Sequence, residues 1–132
     1  MKRLTLAAVA ALCLISFAEV PLMTPEQLKE QASHIVIGKV VAVYSYDEGS
    51  GDHVTTRSIV EVAVEGTEKG EGLAAGEVVY VKVWQAKKRP AGWAGASGHS
   101  VPAVGDAVRA HVTRGKDGSL SALLPNGIGP QK

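Results

Sequence analysis

The stretch His34 to Tyr46 reads HIVIGKVVAVYSY, and its reading decides the fold. It is long, rich in β-branched residues, and apolar on both faces for part of its length. A sheet with one face in water requires only alternate apolar residues, so this strand is enclosed on two sides over that part. Gly38 interrupts the run and predicts a bulge or a sharp bend. A long bent first strand that serves two sheet edges is the pattern of small closed barrels.

Working outward, Tyr46 to Asp52 (YDEGSGD) reads as a polar turn. Val54 to Glu65 then alternates, with Val60, Val62 and Val64 on one face and Glu61 and Glu65 on the other, as a half-buried strand does. Gly66 to Gly76 is glycine-rich and polar and reads as a loop. Glu77 to Trp84 is a third strand, with Val79, Val81 and Val83 inward and Tyr80, Lys82 and Trp84 on the opposite face. Ala107 to Arg114 gives a fourth, with Val108, Ala110 and Val112 in register. Gly115-Lys116-Asp117-Gly118 is a hairpin signal leading to a fifth strand over Ser119 to Leu124. Pro125 to Pro130 carries no regular pattern.

On the N-terminal side, Thr24-Pro25-Glu26-Gln27 predicts a short helix over Pro25 to Ser33. Thr24 is its N-cap, Pro25 takes the first helical position, and Gln27 completes a capping box. Before it, Lys2 and Arg3 precede a charge-free apolar stretch from Leu4 to Phe17, and Ser16-Phe17-Ala18 offers small residues at a cleavage position. That order predicts a signal peptide over residues 1–18, too short in its apolar part for a bilayer span. Cys13 is the only cysteine and lies mid-stretch behind Leu12, where a lipid-attachment cysteine does not. Cleavage after Ala18 leaves a cysteine-free chain, residues 19–132, of one domain's length and without disulfides or thiolate chemistry. The expected location is the periplasm or the outside of the cell, with no stable membrane anchor after cleavage.

The fold class that follows is all-β: a five-stranded OB-like Greek-key barrel with a short N-terminal helix. An open sandwich, or a meander-like sheet covered by the helix, is the alternative. Loss of Lys2 and Arg3 leaves 12 Lys and Arg against 13 Asp and Glu, a net charge of about −1. A phosphate backbone rewards clustered positive charge, so nucleic acid is not an expected partner.

The run Ala32 to Val43 resembles the first strand of bacterial netrin-like or TIMP-like OB domains. The charged-glycine turn Glu68-Lys69-Gly70, the valine strand after it, and Val104-Gly105-Asp106 before the fourth strand are similar too. The resemblance covers residues 24 to 124 and implies an OB-type barrel with a binding role. Inhibitors in that superfamily chelate zinc through a cysteine at the mature N-terminus. This chain has none there, so that mechanism does not carry over.

Gln85 to Val104 is the most unusual stretch, a long connection without periodicity. It holds Lys87, Lys88 and Arg89 in a row, Trp93 between small residues, and His99. Tryptophan and arginine are enriched at binding hot spots. Trp84, Lys87, Arg89, Trp93 and His99 are therefore the candidate ligand-binding residues. The competing reading folds Trp93 back as a cap on the open end of the barrel, with the cations solvated.

Other chemistry finds little support. His34, His53, His99 and His111 are scattered, with no pair at ligand spacing. Asp47, Glu48 and Asp52 lack the pattern of a calcium loop. Ser97 and Ser100 sit in no nucleophile elbow, and Gly66 to Gly76 lacks a phosphate loop's Lys-Ser/Thr ending. The function expected is an exported, non-enzymatic module without cofactor or metal, binding an envelope or extracellular protein through the 85–104 loop and the polar face carrying Tyr80, Lys82 and Trp84. Saccharide or other small-ligand binding, and a structural envelope role, are the alternatives.

Overall fold

A computed structural model of the chain describes residues 20–131, so the signal-peptide reading of residues 1–18 lies outside the described residues. The described chain is mostly β-strand with one short helix. Helix α1 spans Pro25–Gln31, and its start is set by the capping box. Thr24 Oγ1 accepts from the Gln27 N–H at 3.1 Å, and Gln27 Oε1 accepts from the Thr24 N–H at 2.9 Å. The helix stops two residues earlier than the sequence suggests, because Ala32 is already extended and the Ser33 N–H is drawn to the Val112 carbonyl.

Six strands follow: β1 His34–Ser50, β2 His53–Lys69, β3 Val78–Lys88, β4 Ala107–Arg114, β5 Leu120–Ala122 and β6 Ile128–Pro130. β1 pairs with β2, β2 with β3, β3 with β5, β5 with β4, and β4 with β1, so five strands close a ring. The β3–β5 pair is parallel and the other four are antiparallel. β1 does serve two edges, meeting β2 along its length and β4 from His34 to Lys39. Gly38 stands at a register shift, where a Cβ would fall 2.2 Å from the Ala63 carbonyl oxygen. Only glycine allows the strands that approach.

The core inside the ring is built almost wholly of valine. Val36, Val40, Val60, Val62, Val81, Val108 and Val112 are fully buried, with Leu73, Leu120 and Ile128 closing the cluster. The predicted inward sets of β2, β3 and β4 are the buried ones. Leu28 of the helix, Ala32 at its C-cap and Ile35 are buried outside this cluster.

Several boundaries differ from the sequence reading, each for a physical reason. The turn expected over Tyr46 to Asp52 shrinks to Gly51 and Asp52, with Gly51 at φ +62, as the first central position of a II′ hairpin requires. Polar residues extend the strands there because they bond across them: Thr56 to Asp47, Arg57 to Glu48, and Lys87 to Asp47. β2 runs on through Gly66 to Lys69, since Ile37, Val36 and Ile35 pair with that segment. β5 is shorter than expected. β6 was not legible at all; it fills the edge of β4 beyond β5, with Gly129 opposite Arg109.

The consequence is that three strands outrun the core. Residues 44–53 are exposed throughout, and the ends of β2 and β3 pair beside them. This three-stranded arm, roughly 43–50 of β1, 53–60 of β2 and 82–88 of β3, carries the candidate site.

Candidate binding surface

The faces of the arm are set by a bulge. Before it, Val36 and Val40 of β1 point into the core. The register then slips between Val40 and Ala42, leaving Val41 as the extra residue, and Val43 is the next to pack against the core, opposite Val60. The inward parity of β1 thus changes from even to odd. Beyond Val43, the inner face receives Ser45 and Asp47, with Ser58 and Thr56 of β2 beside them. Ser45 and Ser58 share a hydrogen bond of 2.7 Å, and Thr56 donates to Asp47 at 2.8 Å.

The outer face receives the aromatic residues. Across the sheet, Tyr46 lies opposite Arg57 and Arg57 opposite Trp84; Tyr44 lies opposite Ile59 and Ile59 opposite Lys82; Glu61 lies opposite Tyr80. Tyr44, Tyr46 and Tyr80 are each more than half exposed, and Trp84 is half-buried. Among the described residues there are three tyrosines and two tryptophans, and four of these five share this one face. Tyr44 donates to Glu61 at 3.0 Å, and that bond, with the carboxylate's charge, holds the phenol's pKa above the usual tyrosine range. Glu48 and Arg57 close the face at its far end with a 2.9 Å ion pair.

The five residues singled out from the sequence separate into three settings. Trp84 belongs to the outer face. Lys87 pairs with Asp47 at 2.5 Å; that bond, with the one from Thr56, lowers the Asp47 pKa below the ordinary carboxylate range. Arg89 and Trp93 come together at the arm's tip. The guanidinium lies 5.5 Å from the Trp93 ring centre and donates to the Val54 and Lys88 carbonyls and to Thr55 Oγ1, each at 2.8 Å. His53 meets the same indole edge-on at 5.5 Å. Trp93 is half exposed and stands on the arm, not over the core, so it is not the end cap considered above.

His99 is the fifth, and it is buried. The long connection does not wander: Ser97 to His99 returns alongside β3, with Ala86 N–H bonded to Ser97 and His99 N–H to Trp84. The imidazole then accepts from the Trp84 N–H at Nδ1 (3.1 Å) and faces the Ala122 carbonyl with Nε2 (2.9 Å). Nδ1 also lies 3.3 Å from the Trp84 carbonyl. Both nitrogens are committed to backbone, so His99 ties the returning segment to β3 and β5 and does not offer a free ligand atom. A cleft of about 980 Å³ opens beside it, lined by Leu22, Gln85, Val101, Asn126 and Ile128.

Tyr44, Tyr46 and Ile59 were not among the candidates. Ile59 follows from the alternation of β2, but the bulge at Val41 that turns Tyr44 and Tyr46 outward is not visible in their spacing. Among the described residues, no group of three or more His, Cys, Asp or Glu converges as a metal site would need. Comparison with known protein families, curated proteins and solved structures returns no match.

Proposed function

We propose that this chain is an exported, non-enzymatic binding module of the OB-like Greek-key type that captures a protein partner on the outer face of its β1–β3 arm. The strand order β1-β2-β3-β5-β4, returning to β1 with β3 and β5 parallel, supports the OB-like reading and fits the netrin-like resemblance of residues 24 to 124. Domains of that type bind on the sheet face around strands 2 and 3 and on the loops beside it. The observation that carries the proposal is the gathering of exposed Tyr44, Tyr46 and Tyr80 and half-buried Trp84 on that face, bracketed by Glu61, Arg57 and Lys82. Large rigid aromatics ringed by polar groups are the make-up of a binding hot spot. Arg89 and Trp93 of the 85–104 segment extend the surface at the arm's tip. The leader-like order of residues 1–18 supports a periplasmic or extracellular setting.

The test is capture from envelope extract by the immobilised protein, compared with a Tyr46→Ala/Tyr80→Ala variant. Loss of a specific captured protein at an unchanged melting temperature is the expected result. Equal capture by both would move the site off this face. A saccharide is the second reading, favoured by aromatic rings flanked by the hydrogen-bonding Glu61 and Arg57. Saturable binding of oligosaccharides, lost in the same variant, would replace the protein partner with that class.

A further inference from the structure

Among the described residues, the arm has an edge with which no strand pairs. β4 follows β1 only as far as Lys39, and the Val40 carbonyl and N–H are taken by Gly105 and Asp106. From Val41 to Ser50, β1 pairs with β2 on one side, and among the described residues no strand pairs with it on the other. The hairpin closes on Ser50 and His53, so Glu48, Tyr46 and Tyr44 exchange their backbone bonds with β2. Val43, Ser45 and Asp47 accordingly point their N–H and C=O groups outward. Natural edges are usually blunted by proline, charged side chains (lysine above all), bulges or a short strand. Beyond the bulge at Val41 this one carries no proline and no lysine, and its two acids, Asp47 and Glu48, are each held in an ion pair.

We propose that this edge is a homodimer interface, in which β1 of a second copy adds antiparallel to β1 about a two-fold axis at Ser45. Ser45 is the midpoint of the open segment, so this register overlaps it most fully. It sets Val43 and Asp47 of the two copies in hydrogen-bonded pairs. Tyr44 of each copy then stands opposite Tyr46 of the other in the closer, non-hydrogen-bonded positions, where cross-strand aromatic pairs interact best. Ala42 lies opposite Glu48, and no like charges meet. Centring on Asp47 instead would oppose two carboxylates. Asp47 and Glu48 already hold Lys87 and Arg57 within each copy, so the edge approaches its twin with its acids neutralised. The isologous contact closes on itself, as two-fold dimers do. The two aromatic faces would merge into one six-stranded surface. The inference rests on the strand edge and stands apart from the identity of any partner.

Sedimentation velocity on the protein recovered after export tests it, from about 1 to about 100 µM, since mass action reveals the dimer at the upper end. The expected species at the upper end has twice the chain mass. Ser45→Pro, which removes an outward N–H, and Tyr46→Lys, which breaks the aromatic pairing, should each weaken dimerisation about tenfold or more. Circular dichroism and melting temperature report whether each variant is folded. If Ser45→Pro does not fold, Tyr46→Lys decides, because its side chain is exposed. A monomer at every concentration overturns the proposal, and so does a dimer that persists unweakened in Tyr46→Lys.

Discussion

From Val36 to Val43 the first strand turns valine toward a sealed core; from Tyr44 to Ser50 the same strand turns serine and aspartate to that side and two tyrosines to water. β2 repeats the change, passing from Val64, Val62 and Val60 to Ser58 and Thr56 along one face. In the ring, burial does the holding. In the arm, cross-strand polar bonds and ion pairs do it, and these are individually weak in water. A strand that needed only to close the ring could have ended near Val43. The extension, with its polarity reversed, places aromatic surface where a core does not require it.

The largest effect that would break this contrast is expected at Gly38. Gly38→Val sets a side chain against the Ala63 carbonyl and should cost more than about 3 kcal/mol, or leave no folded protein, in chemical denaturation. His99→Ala comes next, at about 2–4 kcal/mol, since it leaves the Trp84 N–H and Ala122 carbonyl without partners and opens a cavity. A small loss there would return His99 to the binding surface.

A paired measurement sharpens the comparison further. Val62→Ala in the ring should cost about 2–3 kcal/mol, whereas Tyr46→Ala in the arm should change stability by no more than roughly 0.5 kcal/mol. Equal losses would mean that the arm is structural. The smallest effect is electrostatic. The folded-state pKa of Tyr44 lies above its unfolded value, so its bond to Glu61 contributes fully below about pH 10 and is lost as pH rises through the folded value. Absorbance titration should show Tyr44 ionising late, and Glu61→Gln should lower its pKa.

Much of this was readable in advance, and the parts that were not share a cause. Val60, Val62 and Val64, and Val79, Val81 and Val83, announce their burial by simple alternation, because a strand's side-chain period is two. The Thr24–Gln27 capping box is local and equally plain. The end of β1 is not legible because Asp47 and Glu48 look like turn residues until their cross-strand partners are known, and the end of β2 because the glycine-rich Gly66 to Lys69 looks like a loop until Ile35 to Ile37 pair with it. β6 depends wholly on a vacant edge of β4. For the candidate site, Trp84, Arg89 and Trp93 stood out by residue type. Tyr44 and Tyr46 did not, since the slip between Val40 and Ala42 reassigns their face and leaves no mark in the spacing. His99 stood out for its chemistry, yet its nitrogens are taken by backbone groups that only the folded return of Ser97–His99 brings near.

The most direct test of the arm as the recognition surface is tryptophan emission from two single-tryptophan proteins. Trp93→Phe leaves Trp84 on the outer face, and Trp84→Phe leaves Trp93 at the tip. Each is titrated with fractionated envelope extract and with oligosaccharides. The expected result is a saturable change in Trp84 emission with one class of ligand, abolished by adding Tyr46→Ala. Binding that leaves Trp84 emission unmoved and survives Tyr46→Ala would contradict it.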